Sequence, residues 1–219
     1  MIKRTHKQIS LDSAPHGSSS CRIQPLEKVR FNDGVSESKP AIEIAERTGP
    51  LRQLVGRRVL LVADIENLVY SAKNLQGKRI NHAALLNKLL AASSKFAAHA
   101  VFCTYSDGLA KYLTHAGYQI HRRHLPPQYL QDETTLNSDN RVSFTVGWMT
   151  ARLAPEVVVV GTGDGDLGCS IAEDLKHFFH SQPPVVLTLS LAGSTSQRLC
   201  ADRNRNIDGN IEVGNDCLR

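Results

Sequence analysis

Short apolar runs alternate with amphipathic segments along most of this chain. The amphipathic segments repeat apolar residues at spacings of three and four, as in helices, and Leu85, Leu86, Leu89 and Leu90 fall on one such face. The apolar runs are typical of strands, and those from Val59 and Val157 of strands buried on both faces. The strands are expected at residues 59–64, 99–106, 118–124, 157–160 and 185–190, with a small edge strand within 206–214. Such alternation predicts an α/β fold with a mainly parallel sheet.

The ends of the chain lack this pattern. Residues 1–56 mix Ser, Pro, Gly and charges without a sustained period, so we predict a mostly disordered basic segment that could hold a short helix over Ala41–Arg47. One domain is expected over residues 57–213, since 219 residues suit a single domain. Within it we predict a polar loop over 125–140 and a short helix capped near Ser194. Residues 214–219 are predicted to be a frayed tail.

The net charge of +5 lies mostly in the front segment. Residues 1–57 carry ten Lys and Arg against six Asp and Glu, whereas residues 58–219 carry sixteen against fifteen. The basic balance therefore does not by itself argue that the folded domain binds nucleic acid. The aromatic content of 5% is also thin for a protein that binds nucleic acid by stacking.

The sequence predicts a cytoplasmic protein with no membrane partner. No apolar run approaches the roughly 18–20 residues of a membrane span, and the first residues lead into no hydrophobic signal segment. The five cysteines are scattered and form no CxxC or Cys/His pair at zinc spacing, so we interpret them as buried, reduced thiols.

Candidate chemistry lies where two of the predicted strands end. Asp64 closes the first strand, and Asp164 and Asp166 follow the strand that begins at Val157. If the strands are neighbours, their carboxyl ends bring three carboxylates to one edge of the sheet. Like charges so crowded are most readily explained by Mg²⁺ or Mn²⁺, which would support metal-assisted hydrolysis of phosphodiester bonds. The alternative is structural, since Asp after a strand commonly caps a helix, as Asp166 could do.

The sequence here resembles the NYN domains of the PIN-like nuclease superfamily. The resemblance rests on VLLVADIENL, on VVVVGTGDGDL and on the intervening TYSDGLAKYLTHAGYQI, and it spans roughly Arg58 to Asp202. It implies a three-layer, Rossmann-like α/β sandwich that cleaves RNA with Mg²⁺ or Mn²⁺. By position, the metal ligands would be Asp64, Asp164 and Asp166, and Asn67 would orient the first carboxylate or a water.

The chain departs from that family in its middle part. The segment NSDNRVSFTVGWM has Arg141 near the position of an expected aspartate and Gly147 at a further acidic position. Asp139 lies two residues before Arg141 and could replace the missing acid after a small shift in register. Without it, the resemblance favours the alternative of a catalytically weakened module that binds RNA or protein.

Two further features leave alternatives open. Arg122 and Arg123 belong to a basic run at the end of a predicted strand, and together with Arg141 they could contact RNA phosphates or lie in a solvated loop. The glycines in GTGDGDLG match G-x-G-x-x-G, but Asp164 and Asp166 would repel the pyrophosphate of a dinucleotide. A homodimer or a protein partner stays open.

Overall fold

The chain forms a parallel sheet between two layers of helices. The computed structural model describes residues 32–33, 49–103, 107–122 and 138–219. The strands are β1 (Asn32–Asp33), β2 (Arg58–Asp64), β3 (Lys95–Phe102), β4 (Gln119–Arg122), β5 (Val157–Gly161), β6 (Val185–Leu191) and β7 (Gly209–Val213). The helices are α1 (Ile65–Gln76), α2 (His82–Ala92), α3 (Asp107–Ala116), α4 (Asp139–Leu153) and α5 (Gly165–Phe178). This arrangement confirms the predicted α/β, Rossmann-like three-layer fold.

The order of the strands places β2 in the middle of the sheet. Six strands run parallel in the order β4, β3, β2, β5, β6 and β7, and the two residues of β1 pair antiparallel with the start of β3. The chain therefore builds the sheet outward from β2 on one side, and then returns to its centre to build the other side. In open α/β sheets, the crevice at such a reversal is where ligands bind.

Alternation along the central strands divides the core into two layers. In β2, Val59, Leu61 and Ala63 pack with α1, α2 and α3 on one face of the sheet. Leu60 and Val62 pack with α4 and α5 on the other face. All five side chains are fully buried, as expected for a strand covered on both faces.

Local signals at helix ends behave as the sequence predicts. Gly77 ends α1 in the left-handed conformation with φ of 62°, which glycine adopts without steric cost. The Asn81 side chain caps α2 by accepting a hydrogen bond from the Ala84 N–H at 3.2 Å. No helix in the described part of the chain has the length and apolar character needed to cross a membrane.

Several predicted boundaries need correction. The packed domain begins before residue 57, because a 3₁₀ helix at Pro50–Leu54 places Leu54 in the core. The third strand spans Lys95–Phe102, four residues earlier than predicted. The short helix expected near Ser194 is a 3₁₀ helix at Gln197–Leu199, capped by the Ser196 side chain. Residues 104–106, 123–137 and the proposed helix over 41–47 lie outside the described residues.

The predicted frayed tail is wrong, because the last residues dock against the segment before α2. The Arg79 and Arg219 main chains exchange two hydrogen bonds of 2.8 and 2.9 Å, and the Asn81 N–H donates to the Cys217 carbonyl at 2.8 Å. Cys217 is only 1% exposed and joins the core beneath α2. The composition of the tail is polar, so only its long-range pairing reveals this role.

Deletion of residues 214–219 should lower the free energy of unfolding by roughly 2–4 kcal/mol, because it removes three backbone hydrogen bonds and a buried side chain. Urea denaturation would measure the loss. Asp216→Ala is the matched control, since it breaks an exposed ion pair with Lys88 while keeping the backbone of the tail, and it should cost less than about 1 kcal/mol. A truncated chain with an unchanged urea midpoint would show that the tail adds nothing.

Candidate functional site

The two strand ends that carry the predicted acids are neighbours in the sheet. β2 and β5 pair in parallel, with Ala63 opposite Gly161. Asp64 therefore follows directly after this pair on one strand, and Asp164 follows three residues after it on the other. The condition that these strands be neighbours is met, and both aspartates lie at the crevice where the sheet reverses.

Asp64 is the buried carboxylate of this edge. It is 5% exposed, and its Oδ1 accepts hydrogen bonds from the Asn67 N–H at 3.2 Å and from the Ser138 hydroxyl at 3.3 Å. Its pKa is raised to about 6, chiefly by burial and to a smaller extent by the nearby Asp139 charge, and the hydrogen bonds offset these effects only in part. Asp64 is thus a helix cap and, at the same time, an acid whose negative charge lacks compensation.

Asp139 is the predicted acid that the fold brings to Asp64. It is the first residue of α4, directly after Ser138, and it is half-buried. Ser138 connects the two acids through its hydrogen bond to Asp64. Residues 64 and 139 are far apart in the sequence. They come together because α4 packs on the face of β2 that carries the Val62 side chain.

Asp164 and Asp166 are engaged differently from Asp64. The Asp164 carboxylate caps α5, accepting from the Asp166 N–H at 2.8 Å and from the Leu167 N–H at 3.4 Å. Asp166, which the sequence suggested as the cap, instead forms an exposed ion pair with Arg198. Within residues 49–103, 107–122 and 138–219, no three His, Cys, Asp or Glu side chains are placed to hold one metal ion. The three predicted ligands are therefore not gathered into one group.

Asn67 links Asp64 to the loop that follows β5. Its side-chain oxygen accepts a hydrogen bond from the Gly163 N–H at 2.9 Å, while its own backbone N–H donates to Asp64. The residue expected to orient the first carboxylate does so through its main chain, and its amide holds the loop after β5. This bond fixes the loop that carries Asp164 against the start of α1.

The glycines of the loop are explained by packing within the protein. A Cβ at Gly163 would lie 2.5 Å from the carbonyl oxygen of Ser194, and one at Gly168 would lie 2.5 Å from a methyl group of Leu199. The Ser196 N–H also donates to the Gly163 carbonyl at 3.1 Å. These glycines, whose pattern resembles a dinucleotide-binding fingerprint, thus allow the segment after β6 to pack closely against the loop.

The predicted phosphate-binding residues separate from one another. Arg122 forms an ion pair with Asp107 at the start of α3, and its side chain is 11% exposed. Arg141 is exposed in the first turn of α4, two residues after Asp139. Arg123 lies outside the described residues. Of Arg122 and Arg141, the latter is the nearer in sequence to a predicted acid, Asp139.

A histidine pair next to this site was not anticipated from the sequence. His99 Nδ1 and His121 Nε2 are 2.8 Å apart, on the face of the sheet that α4 covers. Burial and the neighbouring His121 lower the pKa of His99 to about 3, whereas burial and then the positive charge of Arg141 lower the pKa of His121. His99 is therefore neutral at physiological pH, and this pair adds no positive charge to balance Asp64.

Ser138 is the other residue that sequence reasoning missed, although a serine before a helix is a common cap signal.

An open cleft of about 400 Å³ lies beside the Asp166–Arg198 pair, away from Asp64. No local pattern in the sequence points to it. Its lining residues are Cys169, Glu173, Gln197, Arg198, Arg203, Asn204 and Asn206.

Comparison with known proteins supports the fold and gives no information about activity. No protein-family model and no curated protein matches the chain. Among solved structures, the chain is similar to the crystal structure of a protein of unknown function from Vibrio parahaemolyticus, with a TM-score of 0.59 and 15% identity. The similarity covers 75% of this chain and 97% of that one. At this identity it supports the fold alone.

Asp64→Asn should stabilise the protein at neutral pH. Because the folded-state pKa of about 6 exceeds the usual 3.8, ionisation of Asp64 costs nothing below pH 3.8, and its cost is complete above pH 6. The variant, which keeps the cap oxygen, should gain up to about 3 kcal/mol at pH 7.5 and little at pH 4. Denaturant unfolding at both pH values would measure this. Asp174→Asn, at an exposed position of α5, is the control expected to change neither value.

Asn67→Ala should cost about 1–3 kcal/mol, because it leaves the buried Gly163 N–H without its acceptor. Asn74→Ala, on the exposed side of the same helix, provides the comparison and should be nearly neutral. Thermal unfolding of the two variants would separate them. Equal melting temperatures would mean that the Asn67 side chain does not hold the loop.

Proposed function

We propose that this protein is a ribonuclease dependent on Mg²⁺ or Mn²⁺, with the ion held by Asp64 and Asp139. The observation that carries the proposal is the buried Asp64 carboxylate, whose pKa is raised to about 6 and which has a second acid beside it. The pair lies at the crevice where ligands bind in open α/β sheets. A cation would remove the electrostatic cost of this arrangement.

The donor set fits a magnesium-type ion shared with a substrate. Mg²⁺ is commonly bound by one or two carboxylates together with substrate phosphates and water, rather than by a complete cage of protein ligands. Asp64 and Asp139 supply two such carboxylates. Asp164 and Asp166 are exposed near the same edge, so they stay candidates for outer contacts in the proposed site.

The surrounding residues would orient these two acids. The Ser138 hydroxyl and the Asn67 N–H hold the Asp64 carboxylate in one orientation. The exposed guanidinium of Arg141, two residues from Asp139, would position a phosphate of the substrate. When bound, the ion would stabilise the negative charge that develops on the phosphoryl oxygens.

The choice of RNA as substrate rests on the resemblance to NYN domains. That resemblance includes Asp64, Asn67, Asp164 and Asp166, each found near the carboxyl edge of the two central strands. We also propose a cytoplasmic location, which is supported by the free thiols of Cys169, Cys200 and Cys217.

A second candidate is a module that binds RNA or protein without cleaving it. It is favoured by the use of Asp64 and Asp164 as helix caps, and by Arg141 and Gly147 at positions where the resembling family has acids. Both candidates predict the same fold. They differ in whether a metal ion binds at Asp64 and whether RNA is cut.

Cleavage of single-stranded and structured RNA should be measured in Mg²⁺ and in Mn²⁺. Wild type should cleave, and Asp64→Asn and Asp139→Asn should each lose roughly two orders of magnitude or more in rate, because each removes a proposed ligand. Asp174→Asn, on the exposed face of α5, should cleave like wild type. Urea unfolding with and without Mg²⁺ gives an independent readout, in which the ion should stabilise wild type and not Asp64→Asn.

Two results would count against the enzyme. Folded wild-type protein that cleaves no RNA with either metal, and gains no stability from them, would favour the binding module. Cleavage that survives both substitutions would move the active centre away from Asp64 and Asp139.

A further inference from the structure

Helix α4 carries two aromatic rings on its outward face. Its inward residues Val142, Val146 and Met149 pack against the sheet, whereas Phe144 and Trp148 are 62% and 46% exposed. The two side chains are one helical turn apart, and their rings lie nearly parallel, with an interplanar angle of 8° and centroids 6.3 Å apart. Trp148 is the single tryptophan of the sequence. The fold thus presents a stacked aromatic pair to solvent.

Two arginines flank this pair on the same side of the helix. Arg141 lies three residues before Phe144, and Arg152 lies four residues after Trp148, so all four side chains follow one exposed stripe. The α4 stripe, as we name Arg141, Phe144, Trp148 and Arg152, spans about 16 Å at a rise of 1.5 Å per residue. The single acid in α4 is Asp139, in its first turn. The stripe therefore combines aromatic faces with positive charge.

We propose that the α4 stripe binds single-stranded RNA, with bases stacked on Phe144 and Trp148 and phosphates held by Arg141 and Arg152. Flat aromatic faces combined with cationic side chains are what proteins use to bind single strands without reading sequence. Ring faces stack on bases of any identity, and arginine side chains supply contacts to backbone phosphates.

A protein partner fits this surface less well. Stable protein interfaces bury about 1,200–2,000 Å² around an apolar centre. The exposed positions beside the rings are small, at Gly147 and Ala151, and an arginine follows at each end of the stripe. A polyanion with flat apolar groups complements this pattern in both charge and shape.

The position of the stripe connects it to the proposed active centre. Asp139 begins α4 and lies beside Asp64, and the stripe extends from that turn along the helix. RNA lying on the stripe would lead toward the two acids. This inference rests on the proposed function in taking RNA as the ligand, and it adds the surface that would hold the strand.

Binding should be measured with a fluorescently labelled 12-nucleotide oligouridine in EDTA, which prevents metal-dependent cleavage. Trp148→Ala and Phe144→Ala should each weaken binding by roughly 5- to 150-fold, the range expected for the loss of one stacked base. Both positions are exposed, so the variants should fold, as circular dichroism can verify. Phe178→Ala is the matched control, because Phe178 is 71% exposed at the far end of α5 and should not affect binding.

Two more measurements identify the mode of contact. Stacking should quench the fluorescence of Trp148, which is the only tryptophan and so reports on this surface alone. Arg152→Ala should reduce the slope of log affinity against log salt by about 0.7, as expected for the loss of one phosphate contact to a single strand. Duplex RNA, whose bases are not accessible for stacking, should compete poorly.

The outcomes separate this inference from the proposed enzyme. Unchanged affinity in Trp148→Ala, or no change in Trp148 fluorescence on RNA addition, would overturn the stripe as an RNA surface. Self-association in sedimentation that Trp148→Ala abolishes, without RNA binding, would make the stripe an interface between copies of the chain. If RNA binds through the stripe but is never cut, the proposed enzyme fails and the stripe stands. If the Trp148→Ala variant binds RNA normally and cuts it at an undiminished rate, the proposed role of the stripe is wrong and the proposed enzyme is unaffected.

Discussion

The parallel pairing of β2 with β5 holds the two halves of this protein together. The first half of the chain extends from β2 to β4, the second extends from β5 to β7, and the register of Val59–Ala63 with Val157–Gly161 joins them. The contact is close at its carboxyl end, where a Cβ on Gly161 would lie 3.0 Å from the Cα of Ala63. Both helical layers pack across this pair, so the two cores depend on it.

The same pairing contributes to the unfavourable burial of the Asp64 charge in the site. Asp64 follows a central strand that is covered on both faces, and it is itself only 5% exposed. Asp64 is retained there by capping α1 and by accepting from Ser138, yet these two hydrogen bonds do not fully compensate burial. A stable fold alone would favour a neutral cap at this position. Strongly perturbed pKa values cluster at functional sites, and this supports the role proposed for Asp64.

The outer side of α4 offers a different kind of candidate surface. Most of α4 serves the core, and the rings of Phe144 and Trp148 are left exposed on its outer side. The low aromatic content of the whole chain argued against a stacking surface, but composition averages over all residues. Two rings are sufficient when the helical period places them one turn apart, and the flanking Arg141 and Arg152 follow the same period.

The sequence by itself determined the elements and the fold class. Apolar runs marked β2, β5 and β6, helical spacing marked the helices, and Gly77 and Asn81 marked two of their ends, because these signals act between residues a few positions apart. It also indicated that Asp64 and Asp164 lie at or just after the ends of two strands, whereas the pairing of those strands is seen only in the folded structure.

Tertiary structure decided which partner each polar group found. Asp166 pairs with Arg198, 32 residues away, and Asp64 with Ser138, 74 residues away, and neither pairing has a local signal. The docked tail and the outward face of α4 are likewise set by what packs against each segment. Local periodicity reports which side of an element is apolar, whereas hydrogen bonds and charges between distant segments exist only once the chain has folded.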